Sequence, residues 1–300
     1  MAIVIELVTV GDEWFNRDEI EQKLRSIPID DVIVFSTRKE GISLKSCGFL
    51  DFLNAWVEDH GIDSSSVQID TPNQFENIPY KFYQFIPRSH FLYRDNLHFD
   101  SDVRDICPES KLFGIFVGRF THLRNQIVKE MLEYKNHCLF SVMINDQADL
   151  SNPCTVTYDP EIREIGSIDG MCISDQWDLT KRTRQSLLNF YDQFQIEIVC
   201  ETMTQGETFF PTEKTVRPIM GCRPMLVVSS KHFLSNLKKL GFRTWNDLWN
   251  EEYDQLEGAS RWAAIKNNVI NIINEGYDVD KAQEIALFNY RVLQELLDNS

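Results

Sequence analysis

Apolar and polar positions along the chain follow two periods. Residues 2–10 (AIVIELVTV), 31–38 (DVIVFSTR) and 66–71 (SVQIDT) are apolar, β-branched runs of strand length. Residues 18–27 and 44–61, between those runs, repeat their apolar positions every three or four, the period of a helix with one buried face. Strands alternating with helices predict a small parallel α/β layer. The pattern returns at 111–118 (KLFGIFVG, strand), 121–134 (helix, with Leu123, Ile127, Val128, Met131 and Leu132 on one side) and 137–146 (HCLFSVMIND, strand). A helix is expected over 178–194, a strand over 195–202 (QIEIVCET), and two helices over 259–300 that meet near Glu275, Gly276 and Tyr277. Residues 73–110 mix aromatics, prolines and polar groups and read as an irregular crossing, and 150–173 reads as loop. No repeat or low-complexity segment interrupts the chain.

The stretch 201–249 organises the rest. Its apolar run stops at Phe210, Pro211 breaks it, and Thr212 is placed to cap a helix whose first turn holds Glu213 and Lys214. A glutamate suits a helix N-terminus, whereas a lysine there opposes the helix dipole and makes sense facing an anion. PMLVVSS (224–230) follows as a buried strand, so the unit predicted is strand, Glu-Lys helix, strand, helix. Trp245 and Trp249 read as core. Glu201, at the end of a strand, either lines a pocket or pairs with an arginine; the pocket is the favoured reading.

A second informative turn follows the strand ending at Gly118. Gly118, Arg119 and Thr121 form it, and Arg124 falls in the next helix's first turn. A glycine, a helix N-terminus and two forked donors make a phosphate site plausible on chemical grounds. From this segment alone the alternative stays open, namely two surface arginines beside acids elsewhere. Asp100-Ser101-Asp102 is nominally a metal-holding DxD but reads as two solvated loop acids, and Asp278 to Asp280 reads as the cap of the last helix. Gly11 stands alone after the first strand, so no dinucleotide fingerprint is present there.

Glu201-Thr202, Phe210 to Thr215, Arg217-Pro218-Ile219, Pro224 to Val228 and Leu237 to Trp249, in that order and spacing, resemble the donor-binding lobe of GT-B glycosyltransferases. The likeness is to the fucosyltransferase-like C-terminal lobe and its bacterial and phage relatives, and covers roughly the C-terminal half. Gly118, Arg119 and Arg124 match the strand-Gly-Arg-x-x-x-x-Arg that often opens that lobe, with Phe120 where proline is frequent. The resemblance implies an α/β fold of two Rossmann-like lobes with C-terminal helices. It divides the chain into an acceptor lobe (1–108), a nucleotide-sugar lobe (109–258) and bracing helices (259–300). By the same resemblance Glu213 would hold the ribose hydroxyls, and Lys214, Arg119 and Arg124 the diphosphate. Thr212 would cap the helix and touch phosphate, and Glu201 would line the donor pocket. No cofactor and no metal are expected; the donor is a nucleotide-diphosphate sugar and the acceptor a hydroxyl, a glycan in the first instance.

The acid-rich balance, a net charge of -16, argues against a general nucleic-acid binder and against tight duplex DNA binding. Seven cysteines, odd in number and without a CxxC pair, read as reduced thiols. No run is long enough to span a bilayer and Met1 leads directly into a strand, so a cytoplasmic protein is expected; set beside the membrane-anchored eukaryotic fucosyltransferases, the resemblance then implies a bacterial or viral relative. The acceptor base is undetermined among His90, His98, Asp100 and Asp12, which share only a place in loops of the N-terminal half. Two other readings remain: a non-catalytic nucleotide-binding relative, and a viral structural or assembly protein in which Arg119, Arg124, Glu213 and Lys214 form interface salt bridges.

Overall fold

The computed structural model describes residues 2–10, 13–27, 31–37, 42–82, 105–117, 121–142 and 190–298. Within them the chain is mixed α/β, with two separate four-stranded parallel sheets and seven α-helices. It divides into two compact units. Met1–Tyr93 and Gly206–Pro211 form the first, and Arg94–Gln205 and Thr212–Asn299 the second.

In the first unit β1 (Ala2–Glu6), β4 (Val32–Ser36), β5 (Val67–Asp70) and β6 (Lys81–Phe82) pair side by side in chain order. Helices α1 (Arg17–Leu24) and α2 (Phe49–Asp59) connect the strands, and Ile20, Leu24, Phe49 and Leu53 pack with Ile5, Ile33, Phe35, Val67 and Ile69 into one core. The predicted strand over 2–10 is shorter. It ends at Glu6 and resumes as a two-stranded antiparallel ribbon, β2 (Thr9–Val10) with β3 (Glu13–Trp14). Asn16 causes the break: its Oδ1 accepts from the Val8 N–H and its amide donates to the Glu6 carbonyl, both at 2.9 Å. The predicted helix over 44–61 starts late, at Phe49. Glu76 holds residues 43–45 in a turn by accepting from Ser43 Oγ and from the Leu44 and Lys45 amides, and Gly48 takes a left-handed φ of 75°.

The second unit carries β7 (Lys111–Val117), β8 (Cys138–Val142), β9 (Phe194–Cys200) and β10 (Met225–Val228) in the order β10-β9-β7-β8. Five helices accompany them: α3 (His122–Met131), α4 (Glu213–Met220), α5 (Phe233–Lys239), α6 (Gly258–Glu275) and α7 (Val279–Asp298). The predicted strand, Glu-Lys helix, strand and helix are present as β9, α4, β10 and α5. The two terminal helices part at Gly276 (φ 77°), and Asp278 caps α7 by accepting from the Lys281 amide. The strand–helix–strand predicted at 111–146 is present as β7, α3 and β8. The helix expected to reach 194 does not: residues 191–193 form a 3-10 turn and Phe194 already belongs to β9; residues 178–189 lie outside the described ones. Trp245 and Trp249 are buried as expected, though in turns beyond α5 rather than on a helix, and their rings lie 6.1 Å apart. Cys138 and Cys200 are buried thiols, as their apolar surroundings predicted. Among the described residues no helix is long and apolar enough to cross a membrane.

Every residue of β9 is buried, as befits a central strand covered on both faces. Close packing shows at Gly114 of β7, where an added Cβ would lie 2.7 Å from the Phe194 ring. Gly114→Ala is therefore expected to cost about 1–3 kcal/mol of stability, because the ring cannot withdraw without disturbing the sheet. Urea unfolding followed by tryptophan fluorescence checks this; an unchanged midpoint would show that the core yields.

Candidate functional site

Strand order in the second sheet reverses between β7 and β9, since the chain moves outward to β8 on one side and to β10 on the other. In open parallel sheets ligands gather outside the carboxyl ends of the strands at such a reversal. Here those ends are Val117 of β7 and Cys200 of β9, and the helices α3 and α4 start beyond them.

Both starts are capped by threonine. Thr121 Oγ1 accepts from the Arg124 amide, and Thr212 Oγ1 from the Lys214 amide, as the sequence predicted for Thr212. Beneath α4 lies Glu201, 1% exposed. Its Oε1 accepts from the Thr212 amide (2.9 Å) and Thr215 Oγ1 (2.5 Å), and its Oε2 from Thr212 Oγ1 (2.6 Å) and the Thr202 amide (3.2 Å). The carboxylate fixes the first turn of α4 to the end of β9. The sequence reading placed Glu201 in a donor pocket; the structure shows it holding the helix that would present such a pocket.

Arg124 belongs to the same junction. It reaches from the first turn of α3 to the end of β9, where its Nη2 donates to the Cys200 carbonyl at 2.9 Å and the Glu201 carbonyl at 2.7 Å. It is buried, so the forked donor expected on a diphosphate has this part of its fork inside the fold. Lys214 and Glu213 lie half-buried on the first turn of α4. Lys214 Nζ donates to Glu213 Oε1 (2.8 Å), Thr212 Oγ1 (3.1 Å) and Thr202 Oγ1 (3.4 Å). The junction thus gathers five of the named residues: Arg124, Glu201, Thr212, Glu213 and Lys214. Gly118, Arg119, His90, His98, Asp100 and Asp12 lie outside the described residues. Among those described, no group of three His, Cys, Asp or Glu is set to hold a metal ion.

One set of groups escaped the sequence reading. Glu197 sits mid-strand in β9, 1% exposed. It accepts a short hydrogen bond from Tyr191 OH on Oε2, and Arg217 Nη2 of α4 approaches Oε1 at 3.4 Å. Arg217 is 6% exposed, with its guanidinium 5.8 Å from the Phe116 ring centre and its buried Nε without an acceptor among the described residues. Burial pushes the Glu197 carboxyl up to about 7, against the opposing pull of Arg217 and Tyr191, with the nearby Glu201 charge adding to the rise. A signal was available: a glutamate inside QIEIVC, flanked by apolar residues in an all-buried strand, needs a partner.

The arrangement sets two threonine-capped helix starts and an ammonium group at the carboxyl edge of a parallel sheet. Glu213 beside Lys214 adds a carboxylate able to accept from hydroxyl groups. Set against known families and curated proteins, the sequence matches no family model and no curated protein.

Proposed function

We propose that the chain is a glycosyltransferase of GT-B type, built of two Rossmann-like lobes, that moves a sugar from a nucleotide-diphosphate donor to a hydroxyl acceptor without a metal. The acceptor is a glycan in the first instance. The observation that carries the reading is Lys214 on the capped first turn of α4, at the strand-order reversal of the second sheet. A lysine there opposes the helix dipole unless an anion stands opposite, and a diphosphate leaving group is the anion this chemistry stabilises. In the reaction the bond between the anomeric carbon and the diphosphate oxygen breaks, the acceptor oxygen bonds that carbon, and the hydroxyl proton passes to a base. Charge grows on the diphosphate as the bond breaks, so Lys214 holds it more tightly in the transition state than in the ground state. Glu213 accepts from the ribose hydroxyls, and Arg119 with Gly118 completes the phosphate contact from the turn before α3. Arg124 and Glu201 keep the two helix starts in register.

A second reading has its own support. Lys214 pairs with Glu213, and both Arg124 and Glu201 bond inside the fold. Groups so engaged also suit a structural or assembly protein without a nucleotide. Thermal unfolding with UDP, GDP, CMP, dTDP and ADP separates the two. At a hundred times its dissociation constant a ligand adds about 2.7 kcal/mol, a shift of roughly 4–7 °C for 200–300 residues unfolding together. One nucleotide diphosphate is expected to shift the midpoint, with EDTA making no difference and Lys214→Ala abolishing the shift. No shift with any of them would favour the structural protein.

A further inference from the structure

Glu197, Tyr191 and Arg217 form a buried ionisable group directly under the helix that carries the candidate anion site. Arg217 lies one turn along α4 from Glu213, about 6 Å by helix rise. Glu213 and Glu197 both act on its charge. Among the described residues, the neighbours paired with Glu197 across the sheet carry no ionisable group. β7 offers Gly114 beside it and Phe116 under the guanidinium, and β10 offers Met225. On its own strand stands Cys200, whose thiol burial pushes up to about 11, and just past the strand's end lies Glu201, whose charge adds to the rise and which is bonded to the threonines of α4. Burial, and after it the Glu197 charge, hold Tyr191 well above the usual phenol range, so it stays a donor.

We propose that Glu197 and Arg217 are positioning residues of the anion site, and that ligand binding there draws a proton onto the Glu197 carboxyl. The argument is electrostatic. With Glu197 ionised, Arg217 is balanced by a carboxylate and lends little charge to α4. A proton taken from solvent onto Glu197 removes that counter-charge and leaves a buried guanidinium as net positive charge beneath the bound anion. Conversely, an anion at the start of α4 makes the ionised carboxylate costlier. Two unit charges roughly 10 Å apart in a partly buried setting shift a carboxyl by about one pKa unit. Burial already pushes the carboxyl up to about 7, so the coupling is read between pH 5.5 and 8.5.

The inference rests on the nucleotide-sugar reading of the site, and the test separates the two. The probes are UDP-glucose and GDP-mannose, whose diphosphate diesters keep their charge between pH 5.5 and 8.5. Titration calorimetry on the full chain, in two buffers of different ionisation enthalpy, gives affinity and protons exchanged together. The expected result is an affinity that falls about tenfold from pH 5.5 to 8.5, with uptake of about half a proton near pH 7.5. Glu197→Gln, a neutral isostere, should bind with the low-pH affinity throughout and exchange no proton. This also separates Glu197 from the exposed imidazole of His122 at the start of α3. Wild-type binding that is independent of pH and buffer would overturn the proton coupling while leaving the anion site in place, and it decides the matter without any variant. Full pH dependence retained in a folded Glu197→Gln protein would overturn the assignment to Glu197. No binding of either sugar nucleotide at any pH would overturn the site itself.

Discussion

Arg261→Ala is expected to lower the stability of the second unit by about 3–5 kcal/mol, the largest single-residue effect argued for this chain. Arg261 is fully buried in α6 and makes no use of solvent. Its Nε donates to the Val227 carbonyl at the end of β10, its Nη1 to the carbonyls of Ser230 and Leu256, and its Nη2 to Asp254 Oδ1 at 3.1 Å. Asp254 in turn caps α5 by accepting from the Leu234 and Ser235 amides and from Ser235 Oγ. Removing the guanidinium strands a buried carboxylate and several buried carbonyls at once, and each polar group left unpaired costs about 1–3 kcal/mol. Arg261→Lys keeps the charge but not the fork, so it should recover only part of the loss. Urea unfolding of both variants, read by tryptophan fluorescence, measures the loss. Trp245, Trp249 and Trp262 report on this unit. A change under about 0.5 kcal/mol for Arg261→Ala, the usual range of surface substitutions, would show that the network contributes little.

Such residues mark what the sequence conceals. The strands β1, β4, β5, β7, β9 and β10 are legible because an apolar run of strand length carries its own signature, and α4 is legible because Thr212 follows a proline break. Arg261 and Arg223 look like any surface arginine in sequence. Arg223 is nonetheless fully buried and donates to the carbonyls of Asp105, Tyr191, Phe194, Gly221 and Cys222, partners scattered over more than a hundred residues. Backbone acceptors leave no trace in side-chain patterning. The late start of α2 is hidden in the same way, because the carboxylate that holds residues 43–45 in a turn belongs to Glu76. At the candidate site, residue type and spacing identified Thr212, Glu213 and Lys214 as one helix start. They did not reveal that Arg124 and Glu201 point inward, since a strand end and a helix start give the residue's place but not its direction.

Glu201→Ala is the second large effect, and it tests the site and the fold together. The substitution removes the acceptor for four donors, of which the Thr212 amide, Thr212 Oγ1 and Thr215 Oγ1 are buried. Loss of a helix cap alone costs about 1 kcal/mol, and charge-assisted bonds are roughly twice as strong as neutral ones. A loss of about 2–4 kcal/mol is expected, with the first turn of α4 fraying. Nucleotide-sugar binding should fall with it, because Lys214 is aimed by that turn. Glu201→Gln should lie between, since one amide oxygen still accepts while the NH2 group confronts a hydroxyl that must reverse and a backbone N–H that cannot. Lys214→Ala supplies the contrast. Its ammonium sits on the rim, so its loss should abolish binding with little change in the urea midpoint. If Glu201→Ala kept full stability and full binding, the carboxylate would not be what joins α4 to β9. If Lys214→Ala lost stability as heavily as Glu201→Ala, the lysine would belong to the fold, and the argument from its unfavourable place on the helix dipole would lose its force.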